Sequence, residues 1–477
     1  MILMIGDGMG SEHVKLAQWV EFGPAGLLIM QTLPIQGQVT TSSADSSITD
    51  SAAAATAIAT GQKTKNNYVS VSPSNEQLKT ILEYANEVHK STGVITTTQV
   101  NHATPAAFYS HVLSRNNYNE IETQLVEDAD VDIILGGGRS AFTELELTKM
   151  QSRGYKLVEN RTELLTAQSD KILGLFTPGD PPYERVRDRT LIPSLAEMTS
   201  KSLEILSKDP DGFFLMVEGG QIDWAGHVNN AANVALETIE FDKSVKIALE
   251  YVQNHENTIL VVTADHETGG LAVISESLTT ALPTEENTAE ENEQLRVART
   301  AEIYTLFSST GHTATNVPFY MYGRTLSQYN NSIIDNTDIF EIIKAFLFSD
   351  SGAPKITIHS PLNDTIYGTM VEVILSFNET PAWVGYSIND QSNLSVEATR
   401  FNLNITEGKY KLAIYANDSF GNLGSTQVWF TFMFSESTTT SVTSTFTSVS
   451  TSGFIFLPTI FLIILIDSVH RKSQKKP

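Results

Sequence analysis

A chain of 477 residues is long enough for one large catalytic domain with smaller modules attached. Its formal charge of −24 opposes a general nucleic-acid or anionic-lipid surface, and it equally suits an enzyme whose carboxylates hold cations. The absence of cysteine excludes disulfides, thiolate metal sites and thiol nucleophiles, so any metal must be held by His, Asp, Glu or Thr.

The chain opens on an apolar run, Met1 to Ile5, that passes straight into Gly6-Asp7-Gly8-Met9-Gly10 and reads as a buried strand ending in a turn. No secretory signal precedes it, and the expectation is that the natural start lies upstream or that the chain is a fragment. At residues 49–57 (Thr-Asp-Ser-Ala-Ala-Ala-Ala-Thr-Ala) one serine stands at the mouth of an alanine-rich helix. Free N–H groups and the positive dipole end there suit an anion bound at Ser51, and an N-capped alanine helix packed in a core fits the same residues.

Apolar, β-rich runs at 92–97, 131–135, 213–217, 258–263 and 317–322 alternate with helical patterns up to about residue 350. This predicts an α/β domain, a three-layer sandwich around a mainly parallel sheet. Gly136-Gly137-Gly138-Arg139 lacks the spacing of a phosphate loop and reads as a tight strand end, and residues 282–293, rich in Glu, Thr and Asn, read as an exposed insertion. From 355 to 434 short alternating runs separated by Asn, Asp, Gly and Pro predict a small immunoglobulin-like β-sandwich. Sequons at Asn363, Asn378, Asn393, Asn404 and Asn417 crowd into it, with others at Asn160 and Asn330, and point to a glycosylated surface.

Residues 435–452 are nearly all Ser and Thr and read as an extended stalk. Residues 453–469, though interrupted by Pro458, read as a single transmembrane helix before the basic tail 470–477, with the catalytic domain outside the cell and the chain anchored at its surface.

The chemistry-bearing residues gather where an α/β sheet gathers ligands, beyond the carboxyl ends of strands. Asp7 follows the first run, Glu218 follows 213–217, and Asp265-His266 follows 258–263. Asp223 and His227 stand at i and i+4, a spacing that points a carboxylate and an imidazole to one side of a helical turn.

Taken together, these segments resemble the alkaline phosphatase family. The matching stretches are residues 5–10, 49–57, 102–106 (His-Ala-Thr-Pro-Ala), 218–223 (Glu-Gly-Gly-Gln-Ile-Asp), 223–227, 263–270 (Thr-Ala-Asp-His-Glu-Thr-Gly-Gly) and 311–313 (Gly-His-Thr), in the family's order over residues 1–345. The resemblance implies hydrolysis of phosphate monoesters through a phosphoserine at Ser51. It implies one zinc held by Asp223, His227 and His312, and a second by Asp7, Asp265 and His266. A third ion, usually magnesium, would be held by Glu218 and Thr104 with Asp7 bridging. Arg115, thirteen residues after His102, would clamp the phosphate with its planar fork. His102 and Trp224 stand where some members have an aspartate and a lysine. An imidazole favours zinc or cobalt over magnesium at the third site, and His102 either ligates directly or only hydrogen-bonds nearby. Expected partners are small phosphomonoesters, inorganic phosphate and, through the C-terminal helix, a membrane; nucleic acid is not expected, and a homodimer is a state the resemblance allows. Two other readings share parts of this pattern: a phosphodiesterase of the same superfamily, and a catalytically inert surface adhesion or layer protein.

Overall fold

In the computed structural model, residues 1–434 are described apart from 324–326, 349–352, 379–380, 397–398 and 418–421. Fourteen strands precede residue 336: Ile2–Gly6 (β1), Ile35–Thr40 (β2), Ser91–Gln99 (β3), Ile133–Gly137 (β4), Lys156–Val158 (β5), Ile172–Leu175 (β6), Phe213–Gly219 (β7), Leu260–Thr263 (β8), Glu267–Thr268 (β9), Leu271–Glu276 (β10), Ile303–Phe307 (β11), His312–Thr313 (β12), Val317–Tyr322 (β13) and Ile333–Asp335 (β14). Ten of them form one sheet in the order β14-β2-β13-β8-β1-β7-β3-β4-β6-β5. The central strands β1, β7 and β8 are buried at every position, which is why they read as continuous apolar runs rather than alternating ones.

The sheet is mainly parallel, as expected, with β13 running antiparallel to both β8 and β2. Its direction follows from its connection. The chain leaves the carboxyl end of β8, forms β9 and the antiparallel pair β10–β11, and returns through β12, which pairs antiparallel with β9, directly into β13. A chain that leaves and re-enters a sheet at the same end must run against its neighbour. The marginal strands β5, β6 and β14 have three or four residues each, too short for a periodic signal, and β2 alternates burial around Gly37.

Residues 282–287 are largely exposed, but the predicted insertion ends sooner than expected. Thr288 and Glu291 form a capping box that starts the helix Ala289–Ala301. Its largely buried Arg296 pairs with Glu21. The Gly136-Gly137-Gly138 run does end a strand tightly, with Gly138 at a φ of +95° and Arg139 paired to Glu144 and Glu159.

The C-terminal β region holds Ile356–Ser360 (β15), Thr365–Tyr367 (β16), Glu372–Phe377 (β17), Trp383–Ile388 (β18), Leu394–Val396 (β19), Arg400–Asn402 (β20), Gly408–Asn417 (β21) and Leu423–Phe432 (β22). They form a three-stranded sheet, β15-β17-β20, and a five-stranded sheet, β16-β22-β21-β18-β19. Inward residues of both, including Val373, Leu375, Leu412, Ile414 and Phe430, build a core of their own. Four of the five sequon asparagines here, Asn363, Asn378, Asn393 and Asn404, are exposed. Among the described residues no helix is long and apolar enough to cross a membrane. The stalk, membrane helix and basic tail expected at 435–477 lie outside the described residues.

Candidate metal centre

The alanine run is the N-capped, core-packed helix its sequence allowed, with the serine at its mouth. The helix Ser51–Thr60 buries all ten of its residues, and Asp50 caps it by accepting the Ala53 N–H at 3.0 Å. Ser51, only 1% exposed, occupies the first helical position at the mouth, with Oγ 3.2 Å from Nε2 of His266.

Around this serine the strand ends deliver three groups of ligand atoms. Register sets the first two: Ile5 on β1 pairs with both Glu218 on β7 and Thr263 on β8, so Asp7, Glu218 and Asp265 leave neighbouring strands at one level. Nε2 of His266 lies 3.5 Å from Oδ1 of Asp7 and 3.3 Å from Oδ2 of Asp265, and all three side chains are fully buried.

The helix Gln221–His227 supplies the next group by the i, i+4 spacing, and β12 carries His312 toward it. Nδ1 of His227 is 2.6 Å from the Thr310 carbonyl oxygen, and Nδ1 of His312 is 2.8 Å from that of Thr49. A carbonyl can only accept, so each Nδ1 carries a proton, and a ring that gives up its other proton turns an Nε2 lone pair inward. Those two Nε2 atoms are 3.2 Å apart and lie 3.3 and 3.6 Å from the carboxylate of Asp223. Two lone pairs cannot face each other at that distance without a shared proton or a cation between them.

The third group joins Asp7, His102 and Glu218, whose ligand atoms lie within 4.8 Å of one another. Thr104 Oγ1 is 3.5 Å from Oδ2 of Asp7, and the Thr96 hydroxyl donates to Oε2 of Glu218. His102 has a second attachment. Its Nε2 is 3.3 Å from Nη2 of Arg115, which can only donate, so this nitrogen accepts and Nδ1 holds the proton. The ring and Trp224 meet edge to face at 6.0 Å.

Electrostatics marks the same region. Burial and mutual repulsion hold Asp7 well above the usual carboxylate range, Asp265 at about 8 and, chiefly through burial, Glu218 at about 7. Asp223 goes the other way: burial opposes its charge, but the hydrogen bond with His227 and the nearby imidazoles outweigh it. The same bond raises His227 to about 9. Burial and the Arg115 charge push His102 down to about 3, keeping its ring neutral. Oδ1 of Asp7, Oδ2 of Asp265 and Oε1 of Glu218 are buried oxygens with no hydrogen-bond donor among the described residues. Unpaired carboxylate oxygens and inward imidazole lone pairs are a donor set for divalent cations, so the residues fit the expected ions.

Every expected site residue lies in this one region, and His266 contributes to two ligand groups, being close also to Asp223 and His312. Sequence reasoning missed the supports. Asp50 accepts from Nη1 of Arg115 at 3.0 Å, Thr268 donates to Asp223, and Glu267 accepts from Thr313 and from the Gly270 and Leu271 N–H groups, fastening β9 to β12. Of these only Asp50 carried a readable signal, as a capping residue directly before the alanine run.

A mixed α/β sheet whose strand ends gather carboxylates and imidazoles around a buried serine defines a metal-binding hydrolase. The family model for alkaline phosphatase matches residues 1–292. Alkaline phosphatase 3 of Bacillus subtilis (strain 168) is 34% identical over 415 residues, covering 73% of this chain and 89% of its own. The alkaline phosphatase of Escherichia coli (strain K12) is 31% identical over 407 residues, covering 73% and 85%. The cold-active alkaline phosphatase from the psychrophile Shewanella sp. superposes with a TM-score of 0.65 at 31% identity, covering 73% of this chain and 100% of that one. A mutant of the TAB5 enzyme, solved with Mg bound in its M3 site, gives 0.62 at 30% identity, covering 73% and 98%. The chain belongs to the alkaline phosphatase family and is an enzyme, a phosphomonoester hydrolase.

Proposed function

We propose that this enzyme hydrolyses phosphate monoesters through a phosphoserine at Ser51, in a site that holds two zinc ions and a third ion, magnesium or zinc. The observation that carries the reading is the buried Ser51 Oγ at 3.2 Å from His266, inside the Asp7–Asp265–His266 group. Asp223, His227 and His312 would hold one zinc, Asp7, Asp265 and His266 the other, and Glu218, Thr104 and Asp7 the third ion, with His102 beside it. Bound there, such ions supply Lewis acidity, lowering the pKa of a hydroxyl or water and neutralising charge on the leaving oxygen.

The chain's own residues account for the rest. Asp50 takes up the Ala53 N–H with its side chain and the Ala54 N–H with its carbonyl, so the Ser51 and Ala52 N–H groups at the helix mouth are left for an anion. Arg115, held by Asp50 on one side and His102 on the other, presents its fork to the same place. Phosphoryl transfer asks the protein mainly for such placement and for charge neutralisation. Three divalent cations against the four carboxylates Asp7, Asp223, Asp265 and Glu218 leave two positive charges in excess, which suits a monoester dianion better than a diester monoanion.

The test is acid quenching of the zinc-loaded enzyme during turnover of an aryl phosphate, followed by mass spectrometry of the Ser51 peptide. A phosphorylated peptide in the native enzyme and none in Ser51→Ala is expected. Unchanged turnover in Ser51→Ala, or a strong preference for the aryl diester, overturns the reading. Display at the cell surface on the 453–469 segment is supported by the stalk-like 435–452 sequence and the exposed sequons, and is tested by whether the full chain sediments with membranes after carbonate washing.

A further inference from the structure

His111 lies between Thr104 and Arg115 in the chain and touches neither, yet its ring is nearly buried, with the side chain 12% exposed. Nδ1 is 2.9 Å from the carbonyl oxygen of Ser70, and Nε2 is 3.2 Å from Oε1 of Glu83. A carbonyl has no proton to give. Glu83 has none either: burial opposes its charge, but bonds from His111 and Thr80 hold the carboxyl below its ordinary value. Both ring nitrogens must therefore donate, which only an imidazolium can do. Burial works against that charge as well, and the bonds to Glu83 and Ser70 prevail, so the His111 pKa is raised.

The surroundings show what the charge holds. Gln124 takes the His111 N–H at 2.7 Å and returns its amide to the His111 carbonyl at 3.1 Å. Val112 and Val69 exchange both backbone hydrogen bonds at 3.0 Å, and the Arg115 N–H donates to the Asn67 carbonyl at 2.7 Å. Residues 111–115 are thus laced to the 67–70 loop. Glu83 anchors the lacing to the helix Ile81–Glu87, where its other oxygen accepts the Thr80 N–H at 2.7 Å. Among the described residues Glu83 is the charged group that meets the ring; the 67–70 loop offers the ring a carbonyl, and the helix Tyr118–Glu127 meets the His111 backbone through the neutral Gln124.

We propose that His111 is a positioning residue for Arg115: as an imidazolium clamped between Glu83 and Ser70 it pins the 111–115 segment and so fixes where the guanidinium meets phosphate. The inference rests on the reading of Arg115 as the phosphate clamp. The experiment measures inorganic phosphate binding to the metal-loaded full chain by titration calorimetry, with kcat and KM alongside, for H111Q, E83Q, R115A and the two double variants on R115A. Glutamine at 83 keeps the capping box with its one oxygen and turns an amide donor toward His111 where the second carboxylate oxygen stood, so E83Q breaks the clamp even where H111Q fails to fold. Each single variant is expected to weaken phosphate binding roughly tenfold, the size of one lost charge-assisted hydrogen bond. Neither is expected to weaken it further on R115A. The difference between native enzyme and E83Q closes as pH rises through the raised His111 pKa, where the clamp loses its charge. Native phosphate affinity in both single variants, or an equal loss on the R115A background, overturns the role of His111 while leaving the clamp intact. Native affinity in R115A overturns the clamp itself, and the role of His111 with it.

Discussion

Asp50 accepts a hydrogen bond from Nη1 of Arg115 at 3.0 Å with one carboxylate oxygen and caps the serine helix with the other. One side chain therefore sets both the entry of the helix that carries Ser51 and the aim of the arginine beside it. The same carboxylate also accepts the Asn67 N–H, at 3.1 Å, which brings in the loop that receives the Arg115 backbone.

Replacing Asp50 by alanine is expected to act twice. Loss of the cap should lower stability by about 1 kcal/mol. Freeing the guanidinium should raise the inhibition constant for inorganic phosphate severalfold. Asp50→Asn retains a capping oxygen and should keep most of the stability while still loosening Arg115. Thermal denaturation and phosphate inhibition of the two variants separate the effects. Equal phosphate inhibition in native and alanine enzymes would show that the Asp50–Arg115 pair does not serve binding.

The buried carboxylates predict how stability depends on pH once metal is stripped. Asp265 at about 8 and Glu218 at about 7 stand above ordinary carboxylate values, and His227 at about 9 stands above an ordinary imidazole. In each case the folded chain holds protons that the unfolded chain has released, so stability falls as pH rises. For the carboxylates the loss runs from about pH 4 to about 8, and for His227 from about 6.5 to about 9. Asp223, shifted down, contributes stability that persists throughout that window. His102 and His266, held below an ordinary imidazole by burial, work the other way up to about pH 6.5, so the chelated protein should melt progressively lower from about pH 6.5 to pH 9, and added zinc should raise the melting temperature more at the alkaline end. A zinc-induced shift that shrinks with rising pH would contradict the cluster's role as a cation site.

Much of this is legible in the sequence. The continuous apolar runs that became β1, β7 and β8 announced a sheet buried on both faces, and the acidic and imidazole residues just past their ends announced where its ligands gather. The reversed β13 was not legible, because direction depends on the β9–β12 pairing, which sets His312 against Thr268 and Thr313 against Glu267 across a long stretch of chain. The same holds for Thr268 beside Asp223 and for the carbonyls of Thr49 and Thr310 that fix two imidazole tautomers. Backbone acceptors carry no signature in a sequence, and a threonine is too common to stand out until the fold places it.

Gly8 shows how tightly the metal centre leans on backbone geometry. Its φ is +71°, and a Cβ there would come within 2.8 Å of both the Asp223 Cα and the Thr268 Oγ1. Gly8→Ala meets backbone strain and a collision with the Asp223 Cα, a backbone atom that cannot easily yield. A stability loss of roughly 1–3 kcal/mol is expected from the strained conformation. Because Asp223 must move, the zinc retained after gel filtration should fall as well. Full zinc content in a stably folded Gly8→Ala protein would refute the argument.

His102 stands beside the site proposed for a third ion. Its Nε2 accepts from Arg115, so that lone pair is taken, and its Nδ1 then carries the proton and cannot ligate in the neutral tautomer. The buried Nδ1 has no acceptor among the described residues. The ring must choose between orienting Arg115 and binding an ion, whereas an aspartate can do both with its two oxygens. His102→Asp also adds a hard oxygen donor, which favours magnesium over zinc. The variant should reach half-maximal activation at a magnesium concentration at least severalfold lower than the native enzyme and retain more magnesium by elemental analysis. If magnesium activates both proteins alike, His102 lies outside the ion's reach and acts on Arg115 alone.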